Sequence, residues 1–153
     1  MLATPQLLIH LATCLLATAP PAGAAAETRV CVVAIIATDR NTTVDEKIKC
    51  IAKEVQKNDP KLTGFQVHKL LSKSIVVGDK SNFELIDNQS VGVTVDRAPG
   101  KDTRAQVKIE PPLLGEITYE TCCGKFLPVI TRYRTKDNQL LIIAVRAQAC
   151  EGK

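Results

Sequence analysis

The chain of 153 residues contains no tryptophan and only five aromatic rings, those of Phe65, Phe83, Phe126, Tyr119 and Tyr133. A single-strand nucleic-acid binder needs stacking platforms, and five scattered rings do not make one. Histidine is nearly absent too: there is His10, and after it only His68. Zinc wants four ligands at characteristic spacing, which one histidine and scattered cysteines do not supply. No Gly-x-Ser-x-Gly occurs, and Gly124-Lys125 lacks the upstream glycine and following hydroxyl residue of a phosphate loop. No Cys-x-x-Cys is present to lower a thiol pKa in the usual redox arrangement. These gaps point away from an enzyme and away from a bound metal or cofactor.

Lysine and arginine are missing before Arg29. Within that stretch, Leu7 to Ala17 is mostly apolar, and Pro20-Pro21 and then Ala22-Gly23-Ala24-Ala25-Ala26 follow it. An apolar core, a helix-breaking pair and a run of small residues is the order of a cleavable signal peptide, here residues 1–26, cut after Ala24 or Ala26. The apolar stretch is too short to span about 30 Å of hydrocarbon. A lipoprotein leader cut before Cys14 fits less well, because its apolar core would be very short and Thr13 would precede the cut. The expected product is one exported domain, residues 27–153, in the periplasm or outside the cell. It carries no transmembrane segment, and its net charge of +4 is too mild to name a partner.

Local patterning gives the elements. Glu27 to Thr38 holds a β-branched run that reads as a buried strand. Thr43-Val44-Asp45-Glu46 fits a capping box, after which Val44, Ile48, Ile51, Ala52 and Val55 form an apolar stripe at helical spacing. Lys49, Lys53 and Lys57 lie off that stripe and read as a solvated face rather than an anion-binding one. Asn58-Asp59-Pro60 ends the helix.

Short strands follow: Gly64 to Lys69, Ile75 to Val77, Phe83 to Ile86, Ser90 to Val95, Ala105 to Ile109, Gly115 to Thr121, Phe126 to Arg134 and Gln139 to Ala147. Their alternation implies an antiparallel sheet with one wet face. The expected fold is α+β: one N-terminal amphipathic helix packed on a mainly antiparallel sheet or small β-sandwich, supported by disulfides.

Cysteine carries the most specific expectation. Beyond the leader remain Cys31, Cys50, Cys122, Cys123 and Cys150, an odd number in a compartment where disulfides form. If residues 135–138 make a four-residue loop, Arg134 faces Gln139, and the same register sets Cys123 opposite Cys150. The pair Cys123–Cys150 is therefore predicted, with Cys122 as its competitor or as a reactive thiol. Adjacent strand residues point to opposite faces, which argues against joint action of Cys122 and Cys123. A Cys–His nucleophile would need His68 beside one of them. Glu116 and Glu120 fall on one strand face, in water. Asn41-Thr42-Thr43 and Asn88-Gln89-Ser90 are sequons, making Asn41 and Asn88 glycosylation candidates in a host that modifies exported chains.

The functional expectation is a non-enzymatic domain that binds an extracytoplasmic protein or surface, through the 96–104 loop or an exposed sheet edge. In its order of strand, helix and antiparallel strands, in size and in leader, the chain resembles the cystatin-like protease inhibitors. It departs from them in lacking Gln-x-Val-x-Gly, for which Gln66-Val67-His68 is no substitute, and in lacking tryptophan. A thiol-redox protein built on Cys122 and Cys123 is the other alternative.

Overall fold

The computed structural model describes residues 27–97, 104–122 and 124–149. Strand β1 (Glu27–Thr38) leads through a 3-10 turn at Glu46–Ile48 into helix α1 (Lys49–Asn58). Seven strands follow: β2 (Gly64–Val76), β3 (Lys80–Glu84), β4 (Ser90–Arg97), β5 (Arg104–Glu110), β6 (Ile117–Cys122), β7 (Leu127–Arg134) and β8 (Leu140–Ala149). They form two four-stranded antiparallel sheets. Sheet A has the order β2-β1-β8-β7, and sheet B the order β3-β4-β5-β6.

The expected plan of a helix packed on a sheet is thereby corrected. The molecule is mostly β, and the main core lies between the sheets without any helical residue. From sheet A it takes Val30, Val32, Ala34 and Ile36 of β1 and Leu141, Ile143, Val145 and Ala147 of β8. Sheet B supplies Phe83, Val91, Val93, Val95, Ala105, Val107 and Ile109. The physical reason is the clean alternation of β4 and β5, whose apolar faces need a second sheet opposite them. Among the described residues no disulfide forms, Cys31 and Cys50 both being free thiols.

Strands β1 and β8 are apolar on both faces because each lies in the middle of sheet A. Their second faces carry Val33, Ile35, Ala37, Leu140, Ile142 and Ala144, which cluster with Ile48, Ile51, Ala52 and Val55 beside the 10-residue helix. The expected capping box does not form. The Asp45 side chain accepts from the Lys47 backbone N–H instead, at 3.1 Å. Thr43 is drawn towards β2, its carbonyl accepting from Phe65 N–H at 2.8 Å, while Asp45 N–H donates to the Phe65 carbonyl at 3.0 Å. Gly64 opens β2 here because a Cβ would collide with Asn41 Oδ1 and Thr38 Cγ2.

The final hairpin also departs from its expected register. Arg134 faces Leu140, not Gln139, and the ladder shifts before Ile130 meets Ile142. The hydroxyl of buried Thr131 caps the interruption by donating to the Leu141 carbonyl at 2.7 Å and accepting from Tyr133 N–H at 3.1 Å. Among the described residues the ladder runs as far as Leu127 opposite Val145. Cys123 and Cys150 both lie outside the described residues. No helix among the described residues is long and apolar enough to cross a membrane.

Candidate functional site

Among the described residues, those singled out by their chemistry are not brought together. His68 is exposed on β2, at the point where the β1/β2 register slips between Ala34 and Ile35. β2 lies over β3, where Lys73 Nζ sits 4.8 Å from the centre of the Phe83 ring. Cys122 belongs to β6, at the opposite edge of sheet B from β3. Three strand spacings of about 4.8 Å separate those two edges, so His68 does not stand beside Cys122; Cys123 lies outside the described residues. Cys50 is exposed on α1 and lines a shallow groove with Phe126, Leu127 and Pro128. Among the described residues no three of His, Cys, Asp and Glu converge as a metal site.

Both sequon asparagines are exposed, and both sit in turns. Asn41 Oδ1 accepts from Thr43 N–H at 3.1 Å. Asn88 has φ 60° and follows Asp87 at φ 53°, in a turn closed by Gln89 N–H on the Ile86 carbonyl at 3.0 Å. Asparagine and aspartate tolerate that left-handed geometry better than other side chains. The lysines of α1 are solvated as expected: Lys49 pairs with Glu46 at 2.5 Å and Lys57 with Glu54 at 2.8 Å.

A different region stands out when the outer faces of the sheets are compared. Sheet B turns three ion pairs to water, while its Arg104 joins none among the described residues. Arg97 meets Glu120 at 2.8 Å, Lys108 meets Glu116 at 3.7 Å, and Lys80 pairs with Glu110. The outer face of sheet A is divided. Near the helix it is apolar and covered, whereas towards the start of β1 it is open and polar.

The strand registers lay out that open half and its boundary with the covered half as three rows running across β2, β1 and β8. Ser74, Arg29 and Gln148 form one row, and Ser72, Cys31 and Arg146 the next. Leu70, Val33 and Ala144 form the third. Leu70 is 66% exposed, although it stands beside buried Val33. Cys31 is 8% exposed at the centre, and its thiol donates to Ser72 Oγ at 3.6 Å. Arg146 lies over the Phe126 ring, 4.6 Å from its centre, with Nη2 3.8 Å from Cys31 Sγ. Its Nε is buried and has no hydrogen-bond partner among the described residues. None of the ion pairs among the described residues includes Arg29 or Arg146.

Sequence reasoning passed over this constellation because Arg29 and Arg146 lie at opposite ends of the domain. One signal was present. In the run Leu140–Ala149, positions 140, 142 and 144 are apolar, and Arg146 is the first charge on that same face.

The edge of sheet A adjoins these rows. β2 is 13 residues long and pairs with β1 alone, apart from the contacts of Thr43 to Asp45 at Phe65. Beyond Phe65 no described strand pairs with its outer edge.

The fold and its open face define a two-sheet antiparallel sandwich with a one-helix cover. No protein-family model matches this chain, and neither a curated protein nor a solved structure matches it.

Proposed function

We propose that the chain is a small non-enzymatic domain that works outside the cytoplasm after loss of its leader, binding an extracytoplasmic protein through the open half of sheet A and the β2 edge. The observation that carries this reading is the contrast between the outer faces. Sheet B carries three ion pairs, although its Arg104 joins none, whereas the open half of sheet A has no ion pair among the described residues and holds Arg146 against a ring and a thiol, with Leu70 exposed nearby. An unpaired edge of this length supports addition of an extended segment from the partner, the backbone supplying affinity and the flanking side chains specificity.

Charge chooses among the occupants. Lys69 and Lys73 lie on the edge strand, the ordinary guard against pairing with a second identical edge. The same lysines, with Arg29 and Arg146, complement an acidic extended segment.

The test is a titration of the isotope-labelled, processed protein with an extended peptide alternating valine and aspartate. The same peptide with lysine in place of aspartate is the control. Amide shifts confined to β2 and the adjoining ends of β1 and β8, given by the acidic peptide alone, are the expected result. Shifts centred on sheet B, or none, would overturn the surface assignment. Inhibition of a papain-type protease would put the inhibitor alternative in its place, and disulfide exchange with a reporter would favour the thiol-redox one.

A further inference from the structure

Arg146 is the only arginine among the described residues that is not exposed. A cation withdrawn from water is disfavoured unless something compensates its charge. Here the Phe126 ring compensates from one side. A neutral thiol stands on another, and no carboxylate approaches among the described residues. The guanidinium is nevertheless held in place, with the ring and Cys31 both against it. Its Nε is sealed without a partner among the described residues, and Nη2 is turned to Cys31.

Arg29 lies diagonally across the β1/β8 ladder, since Arg29 faces Gln148 while Cys31 faces Arg146. Diagonal neighbours on one sheet face are about 7–8 Å apart, within reach of long side chains. On the far side of Cys31, Ser72 accepts from the thiol and keeps its own hydroxyl proton to donate. The three residues flank Cys31 on one face of the sheet, and among the described residues none of them meets a carboxylate.

We propose that Arg146, Arg29 and Ser72 form an oxyanion-binding site centred over Cys31, taking a group of the carboxylate or phosphate type. The inference rests on the open half of sheet A being the contact surface, and it names the chemical group recognised there. Arg146 is the fixed element, Arg29 the mobile one that closes on the anion, and Ser72 orients it. Charge-assisted hydrogen bonds from guanidinium to oxyanion are the strongest available to a surface of this kind.

The experiment titrates the processed protein separately with inorganic phosphate, acetate and chloride at constant ionic strength, following backbone amides. Phosphate or acetate should give saturable shifts at residues 29, 31, 72 and 146, with chloride silent. Whichever of the two binds tighter identifies a phosphoryl group or a carboxylate as the natural source. Arg146→Gln should weaken binding by about tenfold or more. Arg29→Gln, at an exposed position that carries no packing, should weaken it in the same sense with the fold untouched. Equal shifts with chloride, or unchanged binding in folded Arg29→Gln and Arg146→Gln proteins, would overturn the site. Loss of the small-anion response while the acidic peptide still shifts β2 would reject this site alone and leave the broader surface assignment standing.

Discussion

Thr131 shows how one hydroxyl holds a break in a sheet. Between Ile130 and Arg134 the β7 ladder loses register, and the Leu141 carbonyl is left to a side chain. Thr131→Val keeps the shape but strands that buried acceptor, with an expected cost of about 1–3 kcal/mol in a denaturant-unfolding experiment. The tyrosines make a second case. Burial pushes the Tyr119 phenol well above its ordinary value, and its hydroxyl is buried without a partner among the described residues. Tyr133 is raised as well, because its hydroxyl donates to Asp87 Oδ2 at 2.6 Å. A raised folded pKa means that the neutral phenol is the form the fold prefers. That contribution is complete below about pH 10, the unfolded value, and is lost as pH climbs through the folded values. Ultraviolet titration of the native protein should therefore show little tyrosinate at pH 10, followed by both rings ionising in the denatured chain. A full native transition at pH 10 would contradict this. Tyr119→Phe removes an unbonded hydroxyl and is expected to leave stability unchanged or raise it by up to about 1 kcal/mol.

At the scale of elements, β1 was legible to its ends, because an unbroken apolar run needs burial on both faces. The helix stripe and the stop before Pro60 were legible for a similar reason, since each is written in adjacent residues. β2 was read as two fragments because Leu70 to Ser74 faces water at an edge, where no apolar period marks a strand. The helix start was misplaced by competition. Thr43 could cap a helix or pair with β2, and the pairing wins in the folded molecule. Asp45→Ala should accordingly cost about 1 kcal/mol. Thr43→Ala should stay within about 0.5 kcal/mol, as expected of a residue that contributes through its backbone. Equal losses in thermal unfolding would restore the capping box.

For the whole molecule, alternation told which residues share a face but not which strands share a sheet. The crossing from β6 in sheet B to β7 in sheet A leaves no local signature, which is why the two were not assigned to different sheets. The candidate site was illegible for the same cause. Arg29 and Arg146 meet only because β1 and β8 are neighbours.

That adjacency also governs how the chain finds its fold. Sheet B is a simple meander of consecutive strands, whereas sheet A joins the first strand to the last, with Val33 facing Ala144. Closing a loop of about 110 residues costs about 4 kcal/mol of chain entropy before any contact rewards it, so sheet A should assemble late and slowly. Thr28 and Ala149 are paired neighbours, and Gly78, at φ 93°, lies in an exposed turn between β2 and β3. A circular permutant linking Ala149 to Glu27 and opened between Gly78 and Asp79 would run β3-β4-β5-β6 and then β7-β8-β1-β2. Each sheet would then be a nearest-neighbour meander, and stopped-flow refolding should be faster than in the natural order with the same final structure.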